Sequence, residues 1–264
     1  MNDKHYMIII FIGLLATISL ALEVGRRVGR FRVNRGTSTS SPGMTAIEGS
    51  LFALMGLVIA FSFNGAAERF YARRHLIVEE TNAIEVAWLR IDALPADTQP
   101  ALRDLFRRYL DSRLATYRNV LDRRAMAVEL DRSEALQAEI WQLAIAATRR
   151  EDGRSAIVVV LNALNAMFDI RTTRIMALRQ HPPFPIFIML WLLVSTGAFL
   201  AGNGMANATS GRWPHMVAYT ILLAVTLYIT VDMEFPRAGL IRVDSFDAAL
   251  QELRHSMDVP TGAP

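Results

Sequence analysis

Residues 49–67 carry no charged side chain along their whole length, and that feature limits the fold more than any other. About 20 predominantly apolar residues are what a helix needs to cross the hydrocarbon core of a bilayer. Lipid admits only structures that satisfy their backbone hydrogen bonds internally. Three further stretches share this character: 7–24, about 184–201 launched by Pro182, Pro183 and Pro185, and about 216–231 launched by Pro214. Prolines suit a helix entry, where the first amides have no helical acceptor. The arginines after Val24 fit a retained helix better than a cleaved leader.

Between the second and third apolar stretches lies a charged insert, and its apolar residues recur at helical spacing. Ile77, Thr81, Ile84, Trp88 and Ile91 predict that the second helix continues out of the membrane to Leu94 and stops at Pro95. Phe106, Leu110, Leu114, Tyr117 and Leu121 mark a second insert helix. Asp131 with Glu134 reads as a capping pair opening a third, with Leu136, Ile140, Leu143 and Ala147 on its apolar face. Ile157, Leu161, Leu164, Phe168, Ile175 and Leu178 mark a fourth, after a turn at Gly153. No strand alternation competes, so the expectation is an all-α membrane protein with four transmembrane helices, two before and two after a large helical insert. The divisions are 1–67 with a basic connector over 26–43, 68–182 for the insert, 183–235 for the second helix pair, and 236–264 for a tail that frays from Met257.

Several chemistries are excluded or unsupported. The chain has no cysteine, which removes disulfides, thiolate metal sites and cysteine nucleophiles. Its one lysine is Lys4, so no phosphate loop can be completed. His5, His75, His181, His215 and His255 read as solvated or interfacial rather than as metal ligands. Paired acids such as Glu79 with Glu80, or Glu151 with Asp152, read as solvated faces or turns. Asn207, Ala208 and Thr209 fit a glycosylation acceptor, a weak three-residue pattern. Gly202, Asn203 and Gly204 read as a turn, and Gly25 with Gly29 as glycines beside a membrane edge with no role in close packing. No catalytic constellation, cofactor or metal site is expected, and a net charge of +3 does not argue for nucleic acid.

The second apolar stretch carries two informative lines. Gly49, Ala53, Gly56 and Ala60 form a face of small residues, which lets a neighbouring helix approach closely. Beside it, Leu57, Phe61, Asn64 and Glu68 place an amide and a carboxylate after two bulky apolar residues. Polar groups at that depth face protein or water rather than lipid.

The run from Phe61 and Asn64 through Glu68, Arg69, Phe70 and Tyr71 to Arg73 and Arg74 resembles the pore-helix region of bestrophins, and more closely that of bacterial bestrophin-like membrane proteins. The latter resemblance extends over 78–84 with Asn82, over 89–95, over Arg107, Arg108 and Tyr109, and over 232–243 with Pro236 and Gly239. It implies a homo-oligomeric, pentameric ion channel passing mostly anions such as chloride, multi-pass in the bacterial inner membrane. Its second helices would line an apolar neck. In that family the neck ends eight residues before the arginine, which gives Phe61, then Leu57, then Ala53, with Asn64 at the wetter end. Asp232 and Glu234 are too few acids for the calcium clasp of animal bestrophins. The partners implied are further copies of the chain, the bilayer and inorganic ions. A membrane-anchored helical interaction or regulatory module without a pore is the alternative.

Orientation draws on two groups of arginines. Arg26, Arg27, Arg30, Arg32 and Arg35 would place the first connector in the cytoplasm. Arg69, Arg73, Arg74, Arg171, Arg174, Arg179, Arg237 and Arg242 favour the opposite side, as does bestrophin topology, so both termini are expected to be cytoplasmic.

Overall fold

The computed structural model describes residues 3–36, 42–120, 122–206, 213–235, 237, 239–243 and 247–258. Among these the chain is helical and has no strand. The helices are α1 (Asp3–Asn34), α2 (Pro42–Arg90), α3 (Gln99–Arg118), α4 (Arg123–Arg149), α5 (Ile157–Arg179), α6 (Phe184–Gly204), α7 (Trp213–Glu234) and α8 (Asp247–Ser256), with 3₁₀ turns at Ile91–Ala93 and Glu151–Ala156. Four helical stretches, Tyr6–Asn34, Pro42–Ala93, Glu151–Gly204 and Trp213–Glu234, are long and apolar enough to cross a membrane. α2 has 49 residues and rises about 73 Å, more than twice the ~30 Å hydrocarbon core.

The chain forms two compact units. One comprises Met1–Phe70 and His181–Ile241, the other Tyr71–Gln180 and Arg242–Pro264. In the first, α1 packs against both α6 and α7. Its core holds Ile18 and Leu22 of α1, Met55 of α2, Leu190, Val194 and Ala198 of α6, and Ala224 and Leu227 of α7. The α1–α6 crossing is close because it is built on glycine. A Cβ on Gly25 would overlap the Phe199 carbonyl, and one on Gly202 would overlap that of Leu22. A Cβ on Gly29 would stand 2.7 Å from the Asn203 carbonyl oxygen. These glycines therefore do what small residues do between membrane helices, which corrects the expectation that Gly25 and Gly29 lack a packing role and that Gly202 belongs to a turn.

The basic connector is also shorter than its composition suggests. α1 runs to Asn34 because Arg26 donates to Glu23 at 2.6 Å and Arg27 to the same carboxylate at 2.9 Å. Such pairs one turn apart support a helix beyond its apolar stretch. Asn207, Ala208 and Thr209 lie outside the described residues.

In the second unit, Ile84, Trp88, Phe106, Tyr109, Leu110, Leu136, Ile140, Leu164 and Met167 belong to one core. The expected line on α2 is buried at Ile77, Thr81, Ile84, Trp88 and Ile91. α2 itself ends at Arg90, and the 3₁₀ turn closes with the Leu94 amide donating to Ile91. Three local expectations are corrected. α4 starts eight residues before the proposed Asp131 cap: Asp122 accepts from the amides of Arg124 and Ala125, the geometry of an N-cap. On α5 the fully buried residues are Val160, Ala163, Leu164, Met167 and Arg174; Leu161, Phe168 and Leu178 of the expected line are partly buried against the same core, while Ile157 is exposed. Met257 is not frayed but buried with Leu250 and Leu253 of α8. Arg107 of α3 donates to the Met257 carbonyl at 2.7 Å and Arg254 of α8 to Asp111 at 2.8 Å. Leu121 lies outside the described residues.

Gly25→Ala should lower the detergent melting temperature, by the ~1–3 kcal/mol typical of overpacking. Gly13→Ala, where a Cβ meets nothing within 4 Å, should leave it unchanged or higher. Equal melting curves for the two variants would refute close packing at Gly25.

Candidate functional site

The two lines on α2 remain uncovered within the chain. Leu57 and Phe61 are 52% and 68% exposed, and Ala53, Asn64 and Glu68 are exposed with them. Gly49 and Gly56 have no atom within 4 Å of where a Cβ would stand, and Ala60 is exposed. The helix makes its contacts through the other side, where Met55, Ala66 and Phe70 are buried. A Cβ on Gly197 of α6 would stand 2.8 Å from Met55 Sδ.

Just past the apolar stretch, Arg69 reaches across to the last turn of α7. Its Nε donates to Glu234 Oε1 at 2.8 Å, and its Nη2 donates to the same oxygen. Gly65 makes room for this reach: a Cβ there would stand 3.2 Å from Arg69 Nη1. The Glu234 side chain is 1% exposed, and His181 Nδ1 lies 3.9 Å from its Oε2. The His181 ring stacks on Phe235. Arg69 and Glu234 stand 165 residues apart, and no sequence pattern announces their pairing.

Two residues before Glu234, the buried Asp232 accepts from the backbone amides of Leu240 and Ile241, at 3.0 and 2.7 Å. The chain leaving α7 is thereby folded back onto the helix end. A Cβ on Gly239 would overlap the Asp232 carboxylate, so this return turn requires glycine. Both acids weighed as calcium ligands are thus committed to protein donors. Pro236 lies outside the described residues. Tyr71 and Asn82, the remaining motif positions, belong to the second unit; Tyr71 has the Arg74 guanidinium 5.6 Å from its ring centre, and Asn82 is exposed.

The second unit holds a buried ionic cluster. Glu80, assigned by pattern to a solvated face, is fully buried. It accepts from Arg113 Nε at 2.7 Å, from the Tyr117 hydroxyl at 2.8 Å, and from Arg174 Nη1. Arg174 continues to Asp247 of α8 at 3.0 Å, and its guanidinium lies 3.4 Å above the Tyr117 ring. Burial alone would raise the Glu80 carboxyl, but the charges of Arg113 and Arg174 outweigh it and hold Glu80 below its ordinary value. Burial pushes the Tyr109 hydroxyl up to about 12. A signal for this cluster existed in the sequence: Glu80 lies three residues after Ile77 and four before Ile84, on an apolar face, and Arg113 sits between Leu110 and Tyr117. Charges on the apolar faces of packed helices need partners.

Among the described residues no group of three or more potential ligands could hold a metal ion. His75 also has a carboxylate neighbour at i,i+4 spacing: its Nδ1 lies 3.4 Å from Glu79, one turn along α2. Both are exposed.

The family model described as "Bestrophin-like domain" matches residues 12–246. No curated protein and no solved structure matches the chain.

The Glu80 cluster predicts an acid-sensitive fold. A carboxyl held below its ordinary value of 4.5 stabilises above that pH, and the contribution is lost as pH falls through the folded value. Glu80→Gln should destabilise by ~3–5 kcal/mol at neutral pH, because it strands buried guanidiniums, and it should flatten the acid side of the melting-temperature profile. A variant whose profile parallels the native one as pH falls below 4.5 would rule out this role.

Proposed function

The chain belongs to the bestrophin-like family, and we propose that it is the subunit of a homo-oligomeric ion channel whose apolar neck is formed by α2. The observation that carries this reading is the uncovered face of α2. The line Leu57, Phe61, Asn64 and Glu68 is exposed in the single chain, yet Asn64 and Glu68 are expensive to turn toward lipid. Water on a symmetry axis accommodates them. Copies placed by rotation would bring their Leu57 and Phe61 side chains into rings, and the exposed small-residue face of Gly49, Gly56 and Ala60 would admit the neighbouring helix. A narrow apolar ring excludes ions by dewetting, because an entering ion loses hydration without gaining ligands. Ala53 would leave the neck wider beyond Leu57. A pentamer, a preference for anions such as chloride, and placement in the inner membrane with both termini cytoplasmic follow from the family resemblance.

Truncating the neck tests conduction. Leu57→Ala/Phe61→Ala in reconstituted protein should raise ion flux at least about tenfold, the change given by a barrier lower by ~1.4 kcal/mol. Leu192→Ala and Leu222→Ala, at exposed positions of α6 and α7, should change it little. Flux from every variant equal to that of empty vesicles would replace the channel with a membrane-anchored interaction module.

Orientation is checked by cysteine labelling, since the native chain has none. Exposed Ala138 in the insert and Asn34 at the end of α1 are the sites to use. Asn34→Cys should react with an impermeant maleimide from outside intact cells and Ala138→Cys only after permeabilisation. The reverse pattern would invert the topology.

A further inference from the structure

The membrane unit contains a crevice of about 340 Å³ between α2, the entry of α6 and the end of α7. This lies at the small end of the range for ligand cavities. Its walls are mostly apolar, with Val58 and Phe61 of α2 facing Ile186 and Leu190 of α6, and Arg69 lies at one end. Three features define an occupant. The rise along α2 from Val58 to Arg69 is about 16 Å, and one leaflet of a ~30 Å hydrocarbon core is about 15 Å deep. The crevice therefore has the length of a single acyl chain.

Arg69 comes two residues after the uncharged stretch 49–67, just past Glu68, at the level where headgroups meet a membrane helix. Its guanidinium is also only partly used. Nε and Nη2 are spent on Glu234, whereas Nη1 has no acceptor among the described residues, and the side chain is 31% exposed. The unspent donors lie beside Gly65, in a crevice that Arg69 lines together with its paired Glu234. A phosphate oxygen is the acceptor that complements them, since guanidinium and phosphate form charge-assisted hydrogen bonds, and basic pockets between membrane helices are where anionic headgroups bind.

We infer that this crevice binds an anionic phospholipid, one acyl chain between α2 and α6 and its phosphate on Arg69 Nη1. Phe61 belongs both to the crevice wall and to the exposed line of the α2 neck. An acyl chain lying against Phe61 limits its rotamers, so bound lipid sets the width of the neck; this consequence, unlike the binding itself, rests on the channel reading.

Native mass spectrometry of the delipidated full-length assembly, titrated with phosphatidylglycerol or phosphatidylcholine of the same chains, tests binding without reference to conduction. Phosphatidylglycerol adducts should survive at activation energies that strip phosphatidylcholine. Ser62→Phe, which fills the crevice, and Arg69→Gln should each weaken phosphatidylglycerol binding at least about tenfold, and Arg69→Lys should weaken it as well, because one ammonium nitrogen replaces the separate nitrogens that serve Glu234 and the phosphate. Arg69→Gln leaves Glu234 buried without its partner, so Arg69→Gln/Glu234→Gln supplies a neutral pair that removes the headgroup contact without that charge. Equal retention of the two lipids, or unchanged retention in Ser62→Phe, would overturn the proposal. So would an intact oligomer that takes up no lipid, which would mean a second copy of the chain fills the crevice. Flux that fails to respond to lipid while binding behaves as expected would sink only the link to the neck.

Discussion

The Arg69–Glu234 pair fixes the end of the apolar stretch of α2 to the last turn of α7, and much of the membrane unit's chemistry is arranged around it. A carboxylate with 1% exposure has lost its water and needs a fixed cation in return. Breaking such a pair by removing one partner leaves a buried charge at a cost of several kcal/mol. Gly65 allows the guanidinium to lie along α2, and the Asp232 return turn folds the chain leaving α7 back onto that helix. The same pairing leaves one guanidinium nitrogen unspent at the end of an apolar crevice. A structural contact and a lipid-binding group are thus two edges of one side chain.

The second unit solves a similar problem with more partners. Glu80 is shared by two arginines and a tyrosine, and Arg174 passes the contact on to α8 through Asp247. Helices α2, α3 and α5 meet at that carboxylate, and α8 joins them through Arg174. Apolar packing alone would tolerate rotations of α5, whose apolar residues run nearly all round; a charge that must meet its partners does not. Buried polar groups of this kind select one arrangement among several of similar hydrophobic burial.

What the single chain leaves uncovered is as informative as what it buries. Glycine brings α1 and α6 into contact at Gly25 and Gly202, yet Gly49 and Gly56 of α2 meet nothing, and the Leu57–Phe61 line stays open. In lipid, scattered exposed apolar residues are ordinary. An exposed line that runs into Asn64 and Glu68 is not, because an amide and a carboxylate need water or protein beside them. Self-association about an axis is the simplest arrangement that supplies both.

The sequence by itself determined the helical class, the four apolar stretches and the family, because each depends on local composition: uncharged runs, prolines at helix entries and a motif contiguous in the chain. It also settled which face of α2 is inward in the insert, since Ile77, Ile84 and Trp88 recur at helical spacing. It misjudged Glu80, Gly25, Gly202 and the end of α1, and left the Arg69–Glu234 pair unseen. Those depend on contacts between residues far apart in the chain, where a carboxylate looks solvated and a glycine looks like a turn until the facing helix is in place. Only the tertiary structure decided them, because burial and close approach are properties of pairs of helices rather than of any one of them.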